Sequence, residues 1–246
     1  MKEINLDQAR KLSSLMRFSR DNQAENPENQ SDAKKLSKQL LEDSLLVTEK
    51  ITPRIYDTVC KVTKNLYVEN DILEVFIVAS NEMNASVFSA HPEHCALILN
   101  SEIIEKLDEK ELSFIIGHEI GHFLLDHVRQ KNENNNAESL RQKRAQEISC
   151  DRIGLWACGD INIALNSLIK LTSGLSQRHL GLDSMALLSQ MKKIEKESVF
   201  DRSNSTHPPW YIRAFSLFHF SLSDFFIQKN LEFYREDQIM NINKRI

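Results

Sequence analysis

The sequence predicts an α+β protein that is mainly helical and carries one small sheet of about three strands. The 246 residues hold only six Gly and five Pro beside long stretches rich in Leu, Ile, Lys, Glu and Gln, which is the composition of helices with few tight turns. Val, Ile and Phe gather in one region, between residues 72 and 100. After residue 101 apolar side chains recur at helical spacing. With 41% hydrophobic and 27% charged residues, the chain is long and apolar enough for one sizeable core.

Taken in order, residues 1–20 fit an amphipathic helix, and "RDNQAENPENQSDAKK" (20–35) is a polar, Pro-containing linker. Helical spacing returns over 36–50 and 53–68, with Pro53 placed to start the second helix. The strands are "ILEVFIVAS" (72–80), "NASVFSA" (84–90) and "CALILN" (95–100), joined through "HPEH" and read as a meander. The helical remainder is broken at "NENNNA" (132–137), "SGLSQRHLG" (173–181) and "FDRSNSTHPP" (200–209). The domains expected are an N-terminal helical arm and linker (1–50), a main body (51–220) and a C-terminal helical tail (221–246).

Charge and cysteine usage narrow the class of function. A net charge of −4 and a pI near 6.1 offer no footprint for nucleic acid. The N-terminus lacks the apolar core of a secretory signal, and no apolar run reaches the ~18 residues of a membrane span. Cys60, Cys95, Cys150 and Cys158 show no C-x-x-C spacing, so reduced thiols and a cytoplasmic location are expected.

The chemistry lies in "SFIIGHEIGHFLLDH" (113–127). His118 and His122, four apart on a helix, stack on one face one turn apart, where both imidazoles can hold a single metal ion. Glu119 lies beside that face, and H-E-x-x-H is the pattern in which two histidines bind zinc and the glutamate acts as general base. Ile115, Ile116, Ile120, Phe123, Leu124 and Leu125 make the helix apolar nearly all round, so it belongs in the core. Two imidazoles and a carboxylate are costly there unless they are paired or hold a metal. Gly121 lowers helix propensity by ~1 kcal/mol relative to Ala and points to a closely approaching neighbour.

Catalytic zinc held by two histidines requires a third protein ligand and an open position. A third histidine six residues past His122 fails, because Val128 occupies that place, with Leu125 where Gly is required. A second helix, "AQEISCDRIG" (145–154), offers Glu147, with Asp151 one turn on to orient an imidazole; Asn135 and Glu138 would cap its start. The plain alternative is a solvated acidic pair beside Arg144 and Arg152. Cys150 reads as a small buried residue beneath this helix or as a regulatory thiol.

The motifs "NASVF" (84–88), "HEIGHFLLDH" (118–127), "EISCDRIG" (147–154) and "STHPPWYIR" (205–213), in this order, resemble the gluzincin metallopeptidases of the CAAX prenyl protease and heat-shock membrane protease type, peptidase family M forty-eight. The resemblance spans roughly residues 53–220. It implies a zincin-like fold with an active-site helix and a glutamate helix, and one Zn2+ per chain on His118, His122 and Glu147. It further implies Glu119 as general base, Asp151 behind the ligands, and His207 and Arg213 stabilising the oxyanion of a tetrahedral intermediate. Asn84 and Ala85 match an edge strand that binds peptide substrate, and His94 a histidine of the next strand. His127 matches a family position too, but five residues past His122 it is expected to point elsewhere and to be structural.

Two departures bear on substrate. Only 24 residues separate His122 from Glu147 and no membrane span is present, against processing of a lipidated substrate in a membrane chamber. "PEH" replaces a common Gly-Gly-His turn, and Ser86 a common aromatic. The activity expected is a zinc-dependent endopeptidase acting on peptides or unfolded proteins. The alternative is a zinc-bound latent or non-catalytic module, chaperone-like, with a regulatory partner on the N-terminal arm or the C-terminal tail.

Overall fold

The computed structural model describes residues 38–91, 94–128, 136–181, 183–197 and 205–231. The expected helix at 1–20, the linker at 20–35 and the tail beyond 231 lie outside the described residues, as do Asn135 and parts of two expected helix breaks. Pro53 opens helix α1 (Pro53–Asn65), where its fixed φ suits the first turn and its missing N–H is not needed. Val59 and Val62 turn inward from it.

The 36–50 stretch is not one helix. Residues 38–43 are helical, and the chain then enters a short strand, β1 (Leu45–Leu46), that pairs antiparallel with β2 (Leu73–Val78). Val47 N–H donates to the Val75 carbonyl at 2.8 Å and continues the ladder. A free sheet edge offers Leu45–Val47 main-chain partners and a core for Val47, and this tertiary gain overrides a weak helical preference.

β3 (Ala85–His91) and β4 (His94–Asn100) complete a mixed four-stranded sheet in the order β1-β2-β4-β3. The expected meander is therefore corrected: β4 runs parallel to β2 and antiparallel to β3. Apolarity decides the order. Cys95, Ala96, Leu97 and Leu99 of β4 are all buried, so the strand belongs in the middle, whereas β3 is the less buried strand and takes the edge.

Helices α2 (Ser101–Lys106), α3 (Glu109–Leu124), α4 (Ala137–Cys158), α5 (Ile161–Ser173), α6 (Ser184–Glu197) and α7 (Trp210–Ser221) follow, with a further helical stretch at 224–231. This bears out the mainly helical α+β class. α3 is the central helix, packed against α1, α4, α5 and the β3–β4 face. Its start is fixed by a capping box: Glu111 N–H donates to Asp108 Oδ1 at 2.8 Å, and Asp108 N–H to Glu111 Oε2 at 2.9 Å. Glu111 also pairs with Lys170 of α5 at 2.7 Å, both side chains buried. α4 is capped by Asn136, which accepts from Ser139 N–H at 2.8 Å, one residue after the position expected. Phe226, within 224–231, enters the main apolar cluster, and Phe225 stacks on Trp156 of α4. Among the described residues no helix is long and apolar enough to cross a membrane.

Candidate metal centre and substrate cleft

The site depends on how closely α3 and α4 approach. A Cβ on Gly121 would lie 3.2 Å from the Cys150 Cα, and one on Gly154 would lie 2.6 Å from the Phe114 carbonyl oxygen. The close neighbour expected of Gly121 is thus the α4 backbone at Cys150, a fully buried residue. This spacing lets the short Glu147 side chain reach the imidazoles of α3.

Three donor atoms converge there. His118 Nε2 and His122 Nε2 are 3.2 Å apart, with Glu147 Oε2 3.5 Å from the first and Glu147 Oε1 3.4 Å from the second. Bonds of ~2.0–2.1 Å to a tetrahedral ion place ligands ~3.3 Å apart, close to the 3.2 Å between the two imidazole nitrogens, and one carboxylate oxygen of Glu147 lies within 4.8 Å of both. His, His and carboxylate are also the donor chemistry of a catalytic zinc, and the residues fit the ion.

Asp151 sits behind His118, its Oδ1 3.0 Å from His118 Nδ1, which leaves His118 Nε2 free to offer its lone pair. Arg213 of α7 lines the cleft and is paired there with Asp151. Its Nε donates to Asp151 Oδ2 at 2.8 Å and its Nη2 to Asp151 Oδ1 at 2.6 Å. Burial works against the Asp151 carboxylate, and the adjacent Arg213 and His118 overcome this and hold its pKa below the ordinary range. Burial likewise opposes Arg213, which the Asp151 charge more than offsets.

Without a cation, burial lowers the pKa of His118, while hydrogen bonds to Asp151 and Glu147 raise it to about 9. Burial raises Glu147, but the facing imidazoles pull it well below the carboxylate range. Burial raises Glu119, with His118 and His122 pulling the other way. A proton on His118 therefore occupies the place that a metal would take.

A cleft of about 590 Å³ opens onto these groups and is lined by Glu119, His118, His122, Glu147, His207 and Arg213 together with β3 residues. His207 is largely exposed, its Nε2 3.6 Å from Glu147 Oε1. Asn84 and Ala85 lie on the cleft wall, at the start of the edge strand. Asn100 N–H donates to the Asn84 carbonyl at 3.1 Å and Ser86 pairs with Ile98, so by antiparallel alternation Ala85 turns its main-chain groups away from β4. His94 faces elsewhere, paired with Glu74 at 2.7 Å.

His127 corrects the sequence reading. α3 ends at Leu124, and Asp126 takes a left-handed φ of 59°, so the chain doubles back instead of following the helical period. His127 N–H donates to the His122 carbonyl at 2.9 Å, and its Nδ1 comes to 3.3 Å from His122 Nδ1. Met83, Ile103, Ile115 and Leu171 also line the cleft and were not singled out from sequence. Ile115 had a signal, since it precedes Glu119 by one helical turn; Leu171 comes from a distant helix and had none.

A zincin-like α+β fold with a two-histidine, one-glutamate centre is the class that fold and site define. Residues 49–142 match the family model described as "Peptidase family M48", which bears out the resemblance carried by the motifs. The chain is also 23% identical over 194 residues to "Plastoglobule-localized metallopeptidase 48, chloroplastic" of Arabidopsis thaliana, a match covering 69% of this chain and 53% of that relative. The chain thus spans about half the length of the curated relative it matches. The family match contains His118, Glu119 and His122 and ends before Glu147, so Glu147 as a candidate third ligand rests on the geometry.

Proposed function

We propose that the chain is a zinc-dependent endopeptidase acting on peptides or unfolded proteins. The observation that carries this is the set of three donor separations, 3.2, 3.4 and 3.5 Å, at the floor of a cleft that also contains Glu119. His118, His122 and Glu147 hold the ion. Zinc bound there supplies Lewis acidity, which activates water and polarises the scissile carbonyl. Glu119, buried and with its affinity for a proton raised, takes the proton of the attacking water and hands it to the leaving amine.

The remaining groups divide the work. Asp151 accepts from His118 Nδ1 and fixes its tautomer. Arg213 also acts through Asp151 as a positioning residue, donating from Nε and Nη2, and its remaining N–H groups at the cleft wall serve the oxyanion. His207, exposed at the cleft beside Glu147, is the other donor to the developing oxyanion. The substrate main chain adds to β3 at Ala85, which explains affinity with little dependence on sequence; Asn84, whose N–H and carbonyl are engaged with Glu82 and Asn100, borders the cleft beside it.

The test compares wild type with Glu119→Gln on an unfolded protein substrate, with zinc content measured in parallel. Glu119→Gln is expected to keep zinc and lose cleavage by ~10²-fold or more. Persistent chelator-sensitive cleavage by that variant would sink the assignment. Zinc retention without cleavage by the wild type would favour the non-catalytic alternative.

A further inference from the structure

His118 and His122 offer the same nitrogen to the centre, yet among the described residues only His118 has a carboxylate at its back. The residue behind His122 is His127, at 3.3 Å between the two Nδ1 atoms, with the rings at 73°. Two facing nitrogens at that distance need one proton between them, so one donates and the other accepts. His122 Nε2 must present a lone pair towards Glu147 and the ion, which places the His122 proton on Nδ1. His127 Nδ1 is then the acceptor and carries its own proton on Nε2. The buried Cys150 thiol, 3.5 Å from that same nitrogen, is a weak donor and agrees with a bare His127 Nδ1.

The backbone is built to keep this contact. Asp126 adopts φ 59°, a left-handed conformation that Asp tolerates better than most non-Gly residues, and the turn it makes ties His127 N–H to the His122 carbonyl at 2.9 Å. Ring and main chain of His127 are therefore both directed onto His122.

We infer that His127 is the positioning residue of His122, accepting its Nδ1–H and so aiming Nε2 at the metal, as Asp151 does for His118. The inference rests on the zinc-site reading above. Partners of this kind contribute ~10–100-fold to metal affinity.

The experiment uses the full chain stripped of metal, with zinc affinity read by competition against a chromophoric chelator, and the visible spectrum of the cobalt-substituted protein as a second readout. The variants are His127→Asn, whose Oδ1 takes the place of Nδ1 as acceptor, and His127→Leu, which has none. His127→Leu is expected to weaken zinc binding ~10–100-fold and shift the cobalt bands. His127→Asn is expected to stay near wild type in both.

Unchanged zinc affinity in His127→Leu, or equal losses in Leu and Asn, overturns the inference. If Leu at 127 prevents folding, as judged by circular dichroism, His127→Ala against His127→Asn makes the same comparison. Glu147→Ala separates the two levels. Zinc bound by wild type and lost in Glu147→Ala upholds the site reading whatever His127 does, whereas no zinc in wild type removes both.

Discussion

Arg213 grips Asp151 through two hydrogen bonds, at 2.8 and 2.6 Å, while Asp151 Oδ1 also lies 3.0 Å from His118 Nδ1. The chain of contact runs from α7 through α4 to α3, so a residue of the C-terminal third steadies a proposed metal ligand of the central helix. Arg213→Met would leave a fully buried carboxylate without its counter-charge, a loss of about 3–5 kcal/mol. Zinc affinity should fall ~10–100-fold with it. Adding Asp151→Asn should recover much of the stability, because the buried charge is then gone. Urea unfolding and chelator competition read the two effects; an Arg213→Met protein with wild-type zinc affinity would leave Arg213 with the oxyanion role alone.

The shifted ligands make metal uptake and stability pH-dependent in opposite ways. Burial lowers His118, and its bonds to Asp151 and Glu147 then raise it to about 9, above an ordinary 6.5. A raised folded-state pKa contributes stability that is complete below 6.5 and is lost as pH climbs through 9, so the melting temperature of the metal-free protein should drop between pH 7 and 10. Zinc must displace the His118 proton, and its apparent affinity should therefore rise by about tenfold per pH unit over pH 6–8. An affinity flat across that interval contradicts a single displaced proton.

Close helix packing predicts a steric test. The Gly154 Cβ of an alanine variant would meet the Phe114 carbonyl oxygen at 2.6 Å, and a backbone atom inside a core helix cannot swing away. Gly154→Ala should force α3 and α4 apart at a cost of about 1–3 kcal/mol, despite alanine's better helix propensity. Glu147 rides on the displaced helix, so zinc content should fall too. An alanine variant as stable as wild type and fully loaded with zinc would show that the close approach is dispensable.

The sequence disclosed much of the centre, and the reason lies in period. His118, Glu119 and His122 sit within one regular helix, where spacing dictates direction, and their shared neighbourhood was legible from the five residues 118–122. Glu147 and Asp151 were legible as a pair sharing a second helix, though not the Gly121–Cys150 and Gly154–Phe114 approaches that bring the two helices together. His127 was misread because it lies past the end of α3, where a left-handed Asp126 replaces the helical rule. Arg213 was legible as a cleft residue but its grip on Asp151 was not, because spacing names a neighbourhood and not a partner. The sheet was found strand by strand, but its order depended on burying β4, a comparison among strands that no single strand contains.

The edge strand offers a test that separates substrate binding from folding. Ala85, the first residue of β3, turns its N–H away from β4 by the register with Asn84 and Ser86, while Ser86 turns inward and pairs with Ile98. Proline removes one N–H and is tolerated at the start of an edge strand. Ala85→Pro should therefore keep the fold and raise KM about fivefold, the value of one main-chain hydrogen bond of ~1 kcal/mol, with kcat less affected. Ser86→Pro should instead break the ladder to β4 and lower the melting temperature. Wild-type KM in Ala85→Pro would mean that substrate does not add to β3 at this residue, and the cleft would then have to recognise peptides through side-chain pockets around Met83, Ile115 and Leu171.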